Sequence, residues 1–370
     1  SKDAVVSRDI IVSIFLRGGM DALSFISPYN DTDYQAARPT IGLKSAHVLD
    51  LNGQFGIHKL CPELREMYDG SRAAFIVAAG SPDPTRSHFL AQDYMERGRP
   101  GDRSSGGGWL ARHVATIPSA SPFQAISRGS SVSVSLEGLS KAIAISGANG
   151  FSINGNDTDD VRRALRRMYG SENPLGGVAL NTLDAIDTID YAAPSDYVPG
   201  FGAVYTSNNG FHDALKSVAQ LIKMDVGLEA ITIDYGGWDT HNGQANSDPS
   251  TGEFAGLVEQ LSKGIAAFTK DLTSFNNRVT IVVMSEFGRR LRQNNNSGTD
   301  HGHGGTMMVV GPGIVQKKIW GSWPGLANEN LFENVDLAVT TDYRQVLTEL
   351  MIARLKNTNI GTLFPGYSYT

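Results

Sequence analysis

The sequence predicts an α/β fold, a mainly parallel central sheet with helices on both faces. Short apolar or β-branched runs of strand length alternate with longer stretches of helical periodicity. Several of those runs open onto polar, glycine-containing turns, the place where open α/β sheets keep their chemistry. The 370 residues, 41% hydrophobic and 19% charged, have the composition of a globular protein. They suffice for one large α/β domain or two modest ones.

The elements follow in order. Asp9 to Leu16 is an apolar run ending in Arg17-Gly18-Gly19-Met20-Asp21, a turn that allows close backbone approach. Ala73 to Ala79 is a second strand, punctuated by Gly80-Ser81-Pro82-Asp83-Pro84. Ser87 to Arg97 reads as a helix with Ser87 or Thr85 near its N-cap, where free N–H groups suit an anion. Arg99 to Gly108 is a Gly/Ser/Arg-rich loop, and Phe123 to Ile145 suggests strands. Asp157 to Tyr169 is a helix, acidic at its start and arginine-rich after, which suits the helix dipole. Asn173 to Gly202 mixes Pro, Gly and Ala with a helical piece, and Phe211 to Met224 is helical.

Leu228 to Tyr235 is the next strand. Phe254, Leu257, Val258, Leu261, Ile265, Phe268 and Leu272 then recur at helical spacing. Val279 to Met284 is a strand ending in Ser285-Glu286-Phe287-Gly288-Arg289, Met307 to Val310 is another, and Tyr343 to Leu355 is the last helix. We expect a single domain over residues 1–370, with an insertion or cap at about 99–210.

Charge and composition exclude several functions. The net charge is −6 with no Lys/Arg block, so the chain lacks an electrostatic footprint for nucleic acid. No apolar stretch approaches the roughly 20 residues that span a bilayer. Cys61 is the only cysteine, which excludes an internal disulfide and a thiolate metal cluster. The chain starts Ser1-Lys2-Asp3, so a processed or trimmed start is expected.

Four of the eight histidines lie in three polar clusters: Thr85-Arg86-Ser87-His88, Gly236-Gly237-Trp238-Asp239-Thr240-His241 and Gly298-Thr299-Asp300-His301-Gly302-His303-Gly304-Gly305. Three His/Asp-rich loops at strand ends suggest one assembled, metal-assisted site. Asp239 and His241 are the strongest pair, since carboxylate and imidazole are standard ligands of divalent ions; the alternative is a capping Asp239 and a surface His241. His301 and His303, one residue apart, would point the same way on extended backbone. A flexible polar loop, or a His-tract binding metal incidentally, is the alternative. Glu286 could ligate a cation or serve as acid or base, or pair with Arg289 or Arg290. Ser87 or Thr85 could be a nucleophile, with His88 beside it, or both hydroxyls could simply cap the helix. Asp93 and Glu96, one to two turns on, could support the site or be solvated. Arg17 could clamp an anionic group or pair with a carboxylate.

These motifs resemble the alkaline phosphatase/sulfatase superfamily, and within it an uncharacterised bacterial branch whose members carry twin-arginine export signals. The marks are Phe15-Leu16-Arg17-Gly18-Gly19-Met20-Asp21-Ala22-Leu23, Ser87-His88-Phe89 with Ala91-Gln92-Asp93 and Met95-Glu96-Arg97-Gly98, Gly237-Trp238-Asp239-Thr240-His241, Ser285-Glu286-Phe287-Gly288-Arg289 and Asp300-His301-Gly302-His303-Gly304-Gly305. The resemblance implies an alkaline-phosphatase-like three-layer sandwich, an exported location (periplasmic or extracellular) and hydrolysis of a phosphate or sulfate ester, on a small molecule or a polysaccharide. It implies a divalent metal ion, zinc first, with calcium or another ion as alternatives. Asp239 and His241 match one ligand pair, Glu286 matches the Asp of an Asp-His pair, and His301 or His303 matches a late His. Asp21 stands nearest the Asp that ends the first strand. Ser87 matches the nucleophile, with Thr85 as the alternative, and Arg17 would stabilise charge on the ester. This sequence departs from the pattern at Arg17-Gly18, where an Asp is usual, and at Phe287, where a ligand His is usual. These departures point to fewer than two metal ions, or to a basic residue standing for a cation. They also leave open a non-catalytic binding protein for an anionic polysaccharide or an exported partner. Metal-dependent redox chemistry is a third reading.

Overall fold

The computed structural model describes residues 9–103, 106–117, 121, 123–147, 152–153, 158–170, 176–192, 197–316 and 318–369. The chain start at residues 1–3, Asp157, and parts of the expected 99–108 loop, 173–202 segment and 99–210 insertion lie outside the described residues. In chain order the first elements are β1 (Ile10–Leu16), α1 (Ala22–Phe25), β2 (Ile26–Ser27), α2 (Thr32–Ala37), β3 (Val48–Asp50), β4 (Gly56–His58), α3 (Pro62–Asp69) and β5 (Ala73–Gly80). Next come α4 (His88–Arg97), α5 (Trp109–Ala115), β6 (Ala125–Arg128), β7 (Ala142–Ile145), α6 (Asp159–Met168), α7 (Gly176–Ala192), α8 (Gly210–Lys223) and β8 (Ala230–Tyr235). The last are α9 (Glu253–Asp271), β9 (Val279–Ser285), β10 (Gly305–Val310), β11 (Ile319–Trp320), β12 (Thr341–Asp342), α10 (Tyr343–Ala353) and α11 (Ile360–Leu363).

The central sheet has the order β11-β5-β10-β9-β1-β8-β6-β7, with β12 also on β5. The fold is the expected mixed α/β architecture with a mostly parallel sheet. Strands β9, β1, β8, β6 and β7 pair in parallel. Among the described pairings of this sheet, only β10 runs against its neighbours, β5 and β9. The carboxyl ends of β5, β9, β1, β8 and β6 and the amino end of β10 therefore share one edge.

β1 is apolar throughout except Ser13 because both faces of the sheet are covered. Val12, Ile14 and Leu16 enter the core shared with α8 and α9, through Leu215, Val218, Leu261 and Ile265. Ile11 and Phe15 enter the opposite core, with Met95 of α4, Trp109 of α5 and Leu347 of α10. β6 and β7, from within the 99–210 stretch, extend this same sheet. A second, antiparallel sheet, β2-β4-β3, lies in the segment between β1 and β5. Sequence periodicity missed it because its strands are two or three residues long.

Candidate metal centre

The site forms where the loops after β1, β5, β8 and β9 meet the loop before β10. Their approach is very close. Gly18 has φ +126°, and a Cβ there would lie 2.5 Å from the Asp239 amide nitrogen, so only glycine lets the β1 loop pack on the β8 loop. Trp238 donates its backbone N–H to the Arg17 carbonyl at 3.2 Å. After β5 the chain turns at Thr85–Ser87 and enters α4, with Ser87 at the N-cap and His88 as first helical residue.

Four side chains converge: His88, Asp239, His241 and His301. His88 Nε2 lies 3.3 Å from Asp239 Oδ2. His241 Nε2 and His301 Nε2 lie 3.0 and 3.1 Å from Asp239 Oδ1, and 2.9 Å from each other. Ligand atoms of His88, Asp239 and His301 all fall within 4.8 Å of one another.

The other nitrogen of each ring decides what these contacts mean. His88 Nδ1 meets Glu286 Oε1 at 2.7 Å, His241 Nδ1 meets Asp300 Oδ1 at 3.0 Å, and His301 Nδ1 meets the Arg86 carbonyl at 2.9 Å. Carbonyls and ionised carboxylates only accept hydrogen bonds, so each Nδ1 carries the proton and donates it. In the neutral rings every Nε2 is then a lone pair aimed at the Asp239 carboxylate. Four acceptors facing one another repel unless a proton or a cation lies among them. His88 Nε2 is moreover a buried nitrogen with no hydrogen-bond partner among the described residues. Histidines whose second nitrogen donates to a carboxylate or carbonyl are the usual form of metal-ligating histidine. The donor set fits a divalent cation.

The electrostatics agree. Burial raises the Asp239 carboxyl, but the hydrogen bond and the positive charge of Arg289, with the close His301 ring, outweigh it and bring it down to about 2. Burial likewise opposes ionisation of Glu286, and hydrogen bonds from His88, Gln92 and the Gly18 N–H overcome it. The Glu286 hydrogen bond raises His88 against its burial, making it a more basic ring. Burial lowers His301, which favours its neutral form.

Several candidate residues have other surroundings. Glu286 spends Oε1 on His88, on Gln92 Nε2 at 2.8 Å and on the Gly18 N–H at 2.9 Å, so it faces His88 rather than joining the donor cluster. Asp21 is fully buried and binds Arg38 through both oxygens, at 2.5 and 2.9 Å, with Gln244 Nε2 at 2.6 Å. His303 does not accompany His301: its ring packs on Phe332 at 4.3 Å, and burial lowers it to about 4. The same-side expectation assumed extended backbone, but both residues precede β10 and only His301 bridges Arg289. His88, expected beside the nucleophile, has its imidazole among the donor atoms. Ser87 makes no side-chain capping bond, while Thr85 Oγ1 accepts from the Ser87 N–H at 3.3 Å. Arg17 stacks on Phe15 at 4.2 Å and pairs with Glu96 at 2.7 Å and Asp234 at 2.9 Å. Asp93 pairs with Arg97 and Arg103.

Sequence reasoning did not single out Asp300, Gln92, the Arg86 carbonyl or Arg289. Asp300 stood in the quoted His loop, and its carboxylate beside two histidines was the available signal. Arg289 is fully buried and donates to Asp239 Oδ1 at 2.6 Å. Phe287 packs against His88 and His301, with ring centroids 5.0 and 4.9 Å away.

The chain belongs to a family described as proteins of unknown function, DUF1501, whose model matches residues 8–358. No curated protein matches it. Among solved structures it is similar to the lipoteichoic acid synthase LtaP from Listeria monocytogenes, with a TM-score of 0.35 and 8% identity over 86% of this chain and 70% of that one. The C-terminal periplasmic domain of EcEptC from Escherichia coli, in complex with Zn, gives a TM-score of 0.38 and 8% identity over 84% of this chain and 75% of that one. Alkaline phosphatase from the Antarctic bacterium TAB5 gives 0.31 and 10% over 85% of this chain and 94% of that one. No helix among the described residues is long and apolar enough to cross a membrane.

Proposed function

We propose that the protein is an exported, metal-dependent hydrolase of phosphate or sulfate esters, on small molecules or polysaccharides, built as a single alkaline-phosphatase-like domain. His88, Asp239, His241 and His301 would hold one divalent ion, zinc first, with calcium or another ion as alternatives. The observation that carries this is the set of three Nδ1 contacts to Glu286, Asp300 and the Arg86 carbonyl, acceptors that require Nδ1 to donate and so turn three Nε2 lone pairs toward one carboxylate. When bound, the ion would supply Lewis-acid polarisation of an ester oxygen.

The remaining roles fall to the chain. Glu286, Asp300 and the Arg86 carbonyl fix the three rings and their tautomers. Ser87 is the proposed nucleophile, since its hydroxyl makes no capping bond and stands next to His88, with Thr85 as the alternative. The free N–H groups at the start of α4 favour the anionic group of the ester. Arg17, balanced by Glu96 and Asp234, orients rather than neutralises.

Elemental analysis of purified protein, with a panel of aryl phosphate and sulfate esters, tests this. We expect about one equivalent of zinc and turnover that chelation abolishes. Full turnover after complete removal of metal sinks the reading. Arg17 is engaged by two carboxylates and so adds no net positive charge to stabilise an ester, which supports a second reading: binding without turnover. Three imidazoles and one carboxylate also suit copper or iron, and finding either in the protein would move the assignment to redox chemistry.

A further inference from the structure

The structure carries a second positive charge at this centre in the side chain of Arg289, which is fully buried. Its Nε donates to the Gly19 carbonyl at 2.6 Å and its Nη1 to the Thr299 carbonyl at 2.7 Å. Its Nη2 meets the Gly18 carbonyl, the Trp238 carbonyl at 3.2 Å and Asp239 Oδ1 at 2.6 Å. The guanidinium thus sits in a cage of oxygen atoms only, four carbonyls and one carboxylate, drawn from the loop after β1, the loop after β8 and the loop before β10. Hard cations take ligand sets of this kind. Of the five acceptors, Asp239 Oδ1 is shared with His241 Nε2 and His301 Nε2, at 3.0 and 3.1 Å. Phe287 lies against the His88 and His301 rings, and a Cβ on Gly19 would meet that phenyl ring at 2.5 Å.

We infer that Arg289 is a tethered substitute for a second metal ion, so that the centre binds a single ion. This rests on the metal reading proposed above. The charge logic is direct. An ion within the oxygen cage would have to displace the guanidinium from five acceptors, and a buried guanidinium without its carboxylate is strongly disfavoured. Oδ2 faces His88 Nε2 instead.

Native mass spectrometry with Zn²⁺ and Mg²⁺, on the full chain, tests the substitution. We expect wild type to bind one ion and Arg289→Ala to bind one ion more than wild type, the added one being Mg²⁺ and displaced by millimolar methylguanidinium. Arg289→Lys keeps its charge and should keep the wild-type count. If the alanine variant does not fold, Arg289→Met, close in volume and uncharged, should show the same gain. Two ions on wild type, no gain in the alanine or methionine variant, or a gain in the lysine variant each overturn the inference. A wild-type count of zero overturns the metal reading, while a gain of one Mg²⁺ in the uncharged variants still supports the oxygen cage.

Discussion

His88 Nδ1 and Glu286 Oε1 lie 2.7 Å apart, and this contact fixes which nitrogen of His88 faces Asp239. Glu286 is buried, and it also takes hydrogen bonds from Gln92 and from the backbone of Gly18. One carboxylate therefore ties the start of α4 to the loop after β1. Removing its charge leaves these bonds geometrically possible but makes His88 a poorer base. Glu286→Gln should lower metal affinity by about 10–100-fold with the fold retained. Competition against a chelator of known affinity measures this, and an unchanged affinity would show that Glu286 plays no part in orienting the ring.

His301 and His303 should separate cleanly in mutagenesis. His301→Ala removes a converging Nε2 and should abolish stoichiometric metal binding. His303→Ala removes a ring stacked on Phe332 and should leave metal content unchanged. Loss of metal in both variants would contradict the placement of His303 outside the centre.

Asp21→Asn should keep the metal and lose stability. The pair Asp21–Arg38 has no exposed side-chain surface. Burial opposes the Asp21 charge, and Arg38 more than compensates, holding the carboxyl below its ordinary range. Breaking one side of such a pair leaves a buried unpaired charge and costs about 3–5 kcal/mol. Urea unfolding reads this directly. A stable variant that has lost its metal would make Asp21 a ligand after all.

Asp239→Asn should act on both counts. It removes the carboxylate that the Nε2 atoms face and the only charged partner among the Arg289 acceptors. We expect loss of metal and, in metal-free protein too, destabilisation of about 2 kcal/mol. Equal stability of the two metal-free proteins would show that the ion pair contributes nothing net.

Stability should fall in mild acid. Burial lowers His58 and His113 to about 4, with the Lys59 and His47 charges adding to the effect at His58. Both rings are neutral in the fold, and Asn357 Nδ2 donates to His113 Nδ1 at 2.9 Å. The unfolded chain regains values near 6.5 and binds more protons below that pH. Their stabilising contribution is full above about 6.5 and is lost as the pH falls toward about 4. The unfolding temperature at pH 5 should lie below that at pH 7.5, and a His58→Gln/His113→Gln variant should flatten the slope. An equally steep slope in that variant would assign the acid sensitivity elsewhere.

The main sheet was legible because burial on both faces writes itself as unbroken apolar runs, as in Ile10–Leu16 and Val279–Ser285. Strand direction leaves no such trace, so Met307–Val310 was recognised as a strand without its antiparallel sense. The Ile26–Ser27, Val48–Asp50 and Gly56–His58 strands are too short for any period to register. At the site, residue types and loop positions pointed to one place, but the direction of each side chain did not follow from them. Glu286 sits at the strand end where a ligand was expected, yet its Oε1 turns to His88 and its Oε2 accepts from the Ser285 hydroxyl. Alternation applied to His301 and His303 failed because their backbone is loop, set by contacts such as that of Gly302, whose Cβ would lie 2.4 Å from the Arg289 carbonyl carbon. Arg289 was read only as a possible partner of Glu286, because one of two adjacent arginines after a strand carries no sign that it is buried against Asp239.

The reversed β10 has a consequence for how this centre can change over time. β9 leaves the sheet and β10 re-enters it at the same edge and next to each other, paired through Met308 with Val283 and Val310 with Ile281. Everything between them, from Glu286 to Gly304, is an excursion with both ends pinned to neighbouring strands. That excursion carries Glu286, Phe287, Arg289, Asp300 and His301. Its tip, residues 295–297, is exposed, whereas Leu291 is buried and the Arg290 and Leu291 carbonyls accept from the buried Arg38. Insertion or deletion at the tip can therefore change the loop while the strand pairing at its base stays in register.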